Sequence, residues 1–150
     1  MKYGASLRAA SLCVMMVSLV HASDSLGEAN KQHVREFLRD IRQAAFVERD
    51  PARIRAVVEQ YISADYVQHA ASVPPGREGY IQFLEATAKK IPAGTRSNLF
   101  EDTHFVGDGN MVVWVSESRP GPAEAGKSDE RRTFNMVRFK NGKMVEHWGP

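Results

Sequence analysis

Apolar residues recur at Val34, Phe37, Leu38, Ile41 and Ala45, the i, i+3, i+4, i+7 spacing that gives one side of a helix a buried stripe. Ahead of them, Ser25-Leu26-Gly27-Glu28 has capping-box spacing: a hydroxyl at the cap and a carboxylate three residues later that can reach back to it. The pattern predicts a helix from Ser25 to about Glu48. Asp50-Pro51 is a second start signal, because a carboxylate can cap and the missing proline N–H costs nothing in a first turn. Ile54, Val57, Val58 and Tyr61 supply that short helix with its apolar face. The chain then passes through Asp65-Tyr66-Val67-Gln68-His69 and turns a corner at Pro74-Pro75-Gly76. A third helix is predicted over Arg77–Lys90, with Tyr80, Phe83, Leu84 and Thr87 inward and Pro92 marking its end.

After Pro92 the period falls to two. Asn98–Val106 and Met111–Ser118 flank Asp108-Gly109, while Arg132–Lys140 and Lys143–Trp148 flank Asn141-Gly142. Both dipeptides suit two-residue type I′ turns, whose central positions need positive φ. Arg119–Glu130, rich in Pro, Gly and charge, reads as a long polar connection between the hairpins. Three helices followed by four strands define an α+β domain in which helices cover one face of a curved sheet and enclose a cavity between the layers.

In the second hairpin, a two-residue Asn141-Gly142 loop would oppose Arg138 to Val145, Val137 to Glu146, Met136 to His147 and Asn135 to Trp148. Alternation then places Phe134, Met136, Arg138, Val145 and His147 on one side, and Asn135, Val137, Phe139, Met144, Glu146 and Trp148 on the other. Glu146 and His147, as strand neighbours, point to opposite faces and form no dyad.

Composition agrees with one globular domain: 150 residues, 43% hydrophobic and 25% charged, too apolar for a disordered chain. The amino terminus changes the charge arithmetic. Lys2 and Arg8 precede the uncharged, mostly apolar run Ala9–Val20, and Val20-His21-Ala22 offers a signal-peptidase site. Those 12 residues fall short of the roughly 20 that cross a bilayer as a helix. The expected division is a signal peptide over residues 1–22 and a single domain over 23–150, with a secreted or periplasmic product and no membrane attachment after cleavage. Removal of Lys2 and Arg8 lowers Lys+Arg from 20 to 18 against 18 Asp+Glu, so the formal charge moves from +2 to zero. Nonspecific nucleic-acid binding loses its electrostatic basis. Cys13, the single cysteine, also leaves, and with it any disulfide, thiolate nucleophile or cysteine metal ligand.

The sequence holds no Gly-rich phosphate loop, no G-x-S-x-G elbow and no His-x-x-x-His metal spacing, so neither a metal nor a cofactor is expected. The candidate chemistry therefore rests on single side chains. A free imidazole titrates near neutral pH, so His147 could serve as a general acid or base; a histidine satisfied by a core neighbour is the competing reading. Arg138 could bind an anionic or carbonyl group, or pair with a carboxylate. Tyr66 and His69 stand three apart where the chain leaves the helices, placed to reach a cavity mouth or simply to pack and cap. Trp114, on the side opposite Val113 and Val115, is either core or a ligand platform. His104 and Glu117 read as solvated strand residues.

Asp65-Tyr66-Val67-Gln68-His69, then Pro75-Gly76-Arg77-Glu78-Gly79 before a helix, then the run from Arg138 through Asn141-Gly142-Lys143-Met144-Val145-Glu146-His147-Trp148 resemble the SnoaL-like proteins of the nuclear transport factor 2-like superfamily. The likeness spans about Glu28 to Trp148. It implies a cone-shaped barrel of three N-terminal helices packed on a strongly curved, mainly antiparallel sheet, with a deep pocket and a homodimer formed through the outer sheet face. It also implies polyketide-cyclase-like chemistry, a cofactor-free intramolecular aldol condensation. In that family an aspartate directly after the His-Trp pair resembles a general acid/base; here the position is Gly149. Tyr66, His69 and His147 match the family pattern at the pocket.

Three functions follow as expectations. One is an acid/base enzyme of cyclase, isomerase or dehydratase type on a small carbonyl compound, with His147 and His69 as catalytic residues and Tyr66, Arg138 and Trp114 as substrate contacts. The second is a non-catalytic module binding a small apolar ligand in the same pocket. The third is a structural dimer whose pocket is plugged by Trp114, Trp148 and Met side chains.

Overall fold

The computed structural model describes residues 7–90, 100–118 and 131–150. Pro92, Asn98, Leu99 and the Arg119–Glu130 connection lie outside them. Helix α1 runs Leu7–Arg42 and continues as a π-helical turn over Gln43–Glu48. The expected start at Ser25 is corrected: Ser25 lies inside α1. No Pro precedes it, and adding one more hydrogen-bonded residue to an existing helix costs far less than starting a new one. The π turn ends at Arg49, whose φ of 58° is left-handed, and the Arg49 guanidinium donates to the Ala88 carbonyl at 2.8 Å.

Helix α2 (Pro51–Tyr61) starts where the sequence places it, with Asp50 Oδ1 accepting from the N–H groups of Ala52 (2.8 Å) and Arg53 (3.4 Å). A strand the sequence reading lacks follows at once: β1 (Ile62–Gln68). It is an edge strand with an irregular register, and Ala64 and Asp65 are both exposed, so the alternation that marks a half-buried strand is interrupted. Helix α3 (Gly76–Lys90) buries Ile81, Leu84 and Ala88 against the core and turns Tyr80 and Phe83 toward the space above the sheet.

Strands β2 (Phe100–Asp108), β3 (Met111–Ser118), β4 (Arg131–Lys140) and β5 (Lys143–Trp148) complete one curved sheet in the order β1-β5-β4-β3-β2. All pairs are antiparallel except β1 with β5. The β4–β5 turn is as expected, with Asn141 and Gly142 at φ 52° and 72°. The β2–β3 turn sits one residue later than expected: Asp108 pairs with Met111, leaving Gly109 and Asn110 as the loop with Gly109 at φ 54°.

The largest departure is in the β4–β5 register. Lys140 opposes Lys143 and Phe139 opposes Met144, as a two-residue loop demands. A bulge then intervenes, and beyond it Arg138 opposes Glu146, Val137 opposes His147 and Met136 opposes Trp148. One extra residue, Val145, reverses the faces of everything after it. His147 therefore shares its face with Asn135 and Val137, while Arg138, Glu146 and Trp148 share the other. The expected grouping of His147 with Arg138, Met136 and Phe134 is corrected by this bulge.

The core lies between the helices and the inner sheet face. Val34, Ile54, Val58, Ile62, Ile81, Val112 and Met144 are its most deeply buried large side chains. Helix α1 seats closely on β2: Gly27 and Gly107 face each other, and the Asn30 amide donates to the Gly109 carbonyl at 2.9 Å.

Candidate functional site

Above the inner face of the sheet, a cavity of about 220 Å³ opens between α1, α3 and the strands. Phe37, Tyr80 and Phe83 form its helical wall, and Ile62, Val137 and Met144 lie on the sheet side. None of the described residues lining it is Asp, Glu, Lys or Arg. Its polar groups are Tyr66, Gln68, Ser72, Trp114, Ser116, Asn135 and His147.

Six of these form one hydrogen-bonded row across four strands. Starting from β1, Gln68 Nε2 donates to the Tyr66 hydroxyl oxygen at 3.1 Å, and Gln68 Oε1 accepts from the Ala70 N–H at 3.1 Å. The same Oε1 lies 2.9 Å from His147 Nδ1 on β5. On its other side, His147 Nε2 lies 3.3 Å from Asn135 Oδ1 on β4. Asn135 Nδ2 donates to Ser116 Oγ at 3.3 Å, and Trp114 Nε1–H donates to that oxygen from β3 at 3.2 Å. Register places these groups side by side: Gln68 is the β-partner of His147, and Asn135 that of Trp114.

Burial dominates the electrostatics. Desolvation, with a smaller contribution from the charge of His69, pushes His147 down to about 4, so its imidazole is neutral at pH 7. Burial raises the Tyr66 and Tyr80 phenols, the latter to about 12, and keeps both protonated. The sign of the stability linkage follows. The unfolded chain protonates His147 near 6.5, whereas the folded chain resists protonation until about 4, so the unfolded state binds more protons between those values. The contribution is present above pH 6.5 and is lost as pH falls toward 4. Urea unfolding is expected to show stability declining by up to about 3 kcal/mol over that window on account of this ring. His33, half-buried against Tyr61 and Phe139 and also shifted down by desolvation, acts in the same direction. An unchanged pH slope in His147→Gln would contradict this account.

Of the residues singled out from the sequence, His147, Tyr66 and Trp114 come together at this cavity. His69 and Arg138 do not. His69 stacks on Trp148 with ring centroids 4.8 Å apart and planes 8° apart, and its Nε2 lies 3.8 Å from Glu146. Arg138 approaches the other Glu146 oxygen at 3.5 Å and lies 5.3 Å from the Trp148 ring centroid. This cluster occupies the outer sheet face. Trp148 therefore leaves the cavity open rather than filling it.

Gln68, Asn135 and Ser116 were not singled out. Gln68 was findable, since i and i+2 share a strand face with Tyr66 once β1 is known to be a strand; Asn135 required the bulge. Gly149 backs onto the same row: a Cβ there would lie 2.8 Å from His147 Cε1 and 3.1 Å from Asn135 Oδ1. A side chain at that position has room only if the imidazole moves. Among the described residues, no three His, Cys, Asp or Glu side chains gather as a metal site would need.

Three helices on a curved mixed sheet, enclosing an apolar cavity with a single polar strip, define an α+β cavity protein of the nuclear transport factor 2-like fold. A de novo designed protein of that fold aligns with a TM-score of 0.54 at 18% identity, covering 81% of this chain and 82% of the design. The chain belongs to the SnoaL-like polyketide cyclase family, whose model matches residues 32–149. Two proteins provisionally assigned as polyketide cyclases share the fold. One is IdmH of Streptomyces antibioticus, with TM-score 0.50, 21% identity, and coverage of 77% of this chain and 89% of that one. The other is from Sinorhizobium meliloti, with TM-score 0.51, 11% identity, and coverage of 77% and 94%. No protein of curated function matches the sequence significantly.

Proposed function

We propose that this cavity binds a small uncharged carbonyl compound and moves a proton at the carbon beside the carbonyl, as cyclases, isomerases and dehydratases do. The observation that carries the reading is a neutral, desolvated imidazole in the same cavity wall as a protonated tyrosine. His147 Nε2 takes the proton from carbon, the C–H electron pair passes to the carbonyl oxygen, and the Tyr66 hydroxyl donates to the oxyanion that forms. Tyr66 is suited to this because its oxygen already accepts from Gln68, leaving its own proton for another acceptor. The fold relationship to proteins assigned as polyketide cyclases supports the same class of chemistry.

Size and charge narrow the substrate. About 220 Å³ lies below the roughly 300–1,000 Å³ of common ligand pockets, and an ionised ligand would meet no countercharge among the described lining residues. Small cyclic or aromatic ketones are expected to exchange their α-protons for deuterium in D2O when the protein is present. The matching carboxylates should neither bind nor inhibit. A second reading, a non-catalytic binding module, has one observation in its favour: both His147 ring nitrogens are already within hydrogen-bond reach of protein amides. Thermal stabilisation by the neutral ketones with exchange no faster than buffer would select that reading and exclude catalysis.

The protein is also proposed to be exported, with cleavage after Ala22, and to form a homodimer through the outer sheet face. Gly27, Asn30, Val34, Phe37 and Ile41 of α1 are buried and lie downstream of the cut, and no helix among the described residues is long and apolar enough to cross a membrane. Phe134, 69% exposed on the outer face, supports the dimer. Native mass spectrometry of the secreted product should give twice the mass of a chain beginning at Ser23. A monomer, or a chain retaining residues 1–22, would exclude the corresponding proposal.

A further inference from the structure

The row of polar groups around His147 contains a conflict of hydrogen bonding that decides how the ring works. Gln68 cannot exchange its amide ends freely, because Oε1 accepts from the Ala70 N–H while Nε2 donates to Tyr66. The group facing His147 Nδ1 at 2.9 Å is therefore an acceptor, and Nδ1 must carry a proton. In the neutral ring, Nε2 then holds a lone pair. Yet Asn135 presents Oδ1, another acceptor, to Nε2 at 3.3 Å. That orientation suits the imidazolium, in which both nitrogens donate.

Rotating the Asn135 amide by half a turn resolves the conflict for the neutral ring. Nδ2 then takes the place of Oδ1 and donates to Nε2. The contacts given up, Asn135 Nδ2 to Ser116 Oγ and to the Thr133 carbonyl, are long ones at 3.3 and 3.5 Å. Asn135 can thus meet Nε2 with a donor or an acceptor, whereas Gln68, fixed by the Ala70 N–H, presents only an acceptor to Nδ1.

We propose that Gln68 and Asn135 are positioning residues for His147: Gln68 locks the imidazole in its Nδ1–H tautomer, and Asn135 turns its amide as Nε2 gains or loses a proton. The catalytic consequence rests on the reading of His147 as a base: the lock directs the lone pair to Nε2, the Asn135 amide yields that nitrogen to the substrate C–H, and Asn135 Oδ1 then accepts from the Nε2–H that forms. The lock itself is a property of the resting protein. The groups facing the ring are Tyr66 and Gln68 from β1, Asn135 from β4, and Trp114 from β3, its ring centroid 6.1 Å away. Beyond the sheet lies His69, whose backbone N–H donates to the His147 carbonyl at 2.9 Å and whose ring Nε2 lies 3.8 Å from Glu146.

Histidine side-chain 15N shifts, read by long-range proton correlation on labelled protein at neutral pH, test this without any turnover. The native spectrum should show a protonated His147 Nδ1 and an unprotonated Nε2, favoured over the other tautomer by about tenfold, the ratio an ordinary hydrogen bond sustains. Gln68→Leu should collapse that preference. Gln68→Glu, which keeps an acceptor at Nδ1, should retain it and raise the ring's pKa. Asn135→Asp, which can only accept, should also raise the pKa, by about one unit or more. Should Gln68→Leu fail to fold, the native spectrum and Gln68→Glu still decide. An Nε2–H tautomer in the native protein, or an unchanged tautomer in Gln68→Leu, overturns the proposal. If the shifts are as expected but no ketone exchanges its protons, the lock stands and the catalytic reading fails.

Discussion

Replacing His147 with alanine is expected to slow α-proton exchange of a bound ketone by about 10²–10⁴-fold, the usual contribution of a positioned general base. The fall should appear in kcat with KM little changed, because the apolar wall of Phe37, Tyr80 and Phe83 that holds the ligand is untouched. Tyr66→Phe removes the proton donated to the oxyanion while keeping the ring that packs against Tyr80, with centroids 6.2 Å apart. It should cost about 10²–10³-fold, also in kcat. His69→Ala and Arg138→Ala, both on the outer face, should leave exchange within a few-fold of the native rate. Full activity in His147→Ala, or its loss in Arg138→Ala with the fold intact, would place the chemistry elsewhere.

A large stability loss is expected from a single methyl group at Gly107. A Cβ there would lie 2.5 Å from the Gly27 carbonyl oxygen and 2.9 Å from its carbonyl carbon, and both are backbone atoms of α1 that no rotamer change can move aside. Gly27 meets Gly107 in the same way, with a Cβ-to-oxygen separation of 2.9 Å. Helix and strand are in backbone contact here, and the adjacent Asn30–Gly109 hydrogen bond, buried in the same seam, depends on that spacing. Gly107→Ala must lift α1 from β2, loosen the bond and open the packing around Val34. Overpacking of this kind costs about 3 kcal/mol. The transition temperature should fall on the order of 10 °C. Gly142→Ala is the informative comparison: its Cβ would meet nothing within 4 Å, so the penalty there is only backbone strain at φ 72°. An equal loss in both variants would mean that the helix–strand contact is not the cause.

Much of this protein is legible without coordinates. Asp50-Pro51 starts a helix because the carboxylate and the proline act on their own first turn, and both do so here. Asn141-Gly142 makes a type I′ turn because both residues tolerate positive φ. The stripes Val34-Phe37-Ile41 and Ile54-Val57-Val58 are buried as periodicity requires. Tyr66, Trp114 and His147 could be named in advance because buried polar rings in a small α+β domain have few places to go. Local signals were less able to exclude. The capping-box spacing at Ser25 does not start the helix in the full-length chain, since α1 runs through it.

What the sequence determined by itself, then, was whatever is decided within a few residues: helix starts, turn chemistry, apolar stripes and the order of helices before strands. Which of the candidates meet at the cavity, and which residues join them there, was decided by tertiary structure alone. β1 is a strand because β5 lies beside it, and the bulge at Val145 reversed the face of His147 relative to Arg138 and Glu146. The physical reason is the two-residue period of a strand. One unpaired residue, invisible in the pattern, exchanges cavity for outer surface, and so brings Asn135 and Gln68 to the imidazole while carrying the charged neighbours away.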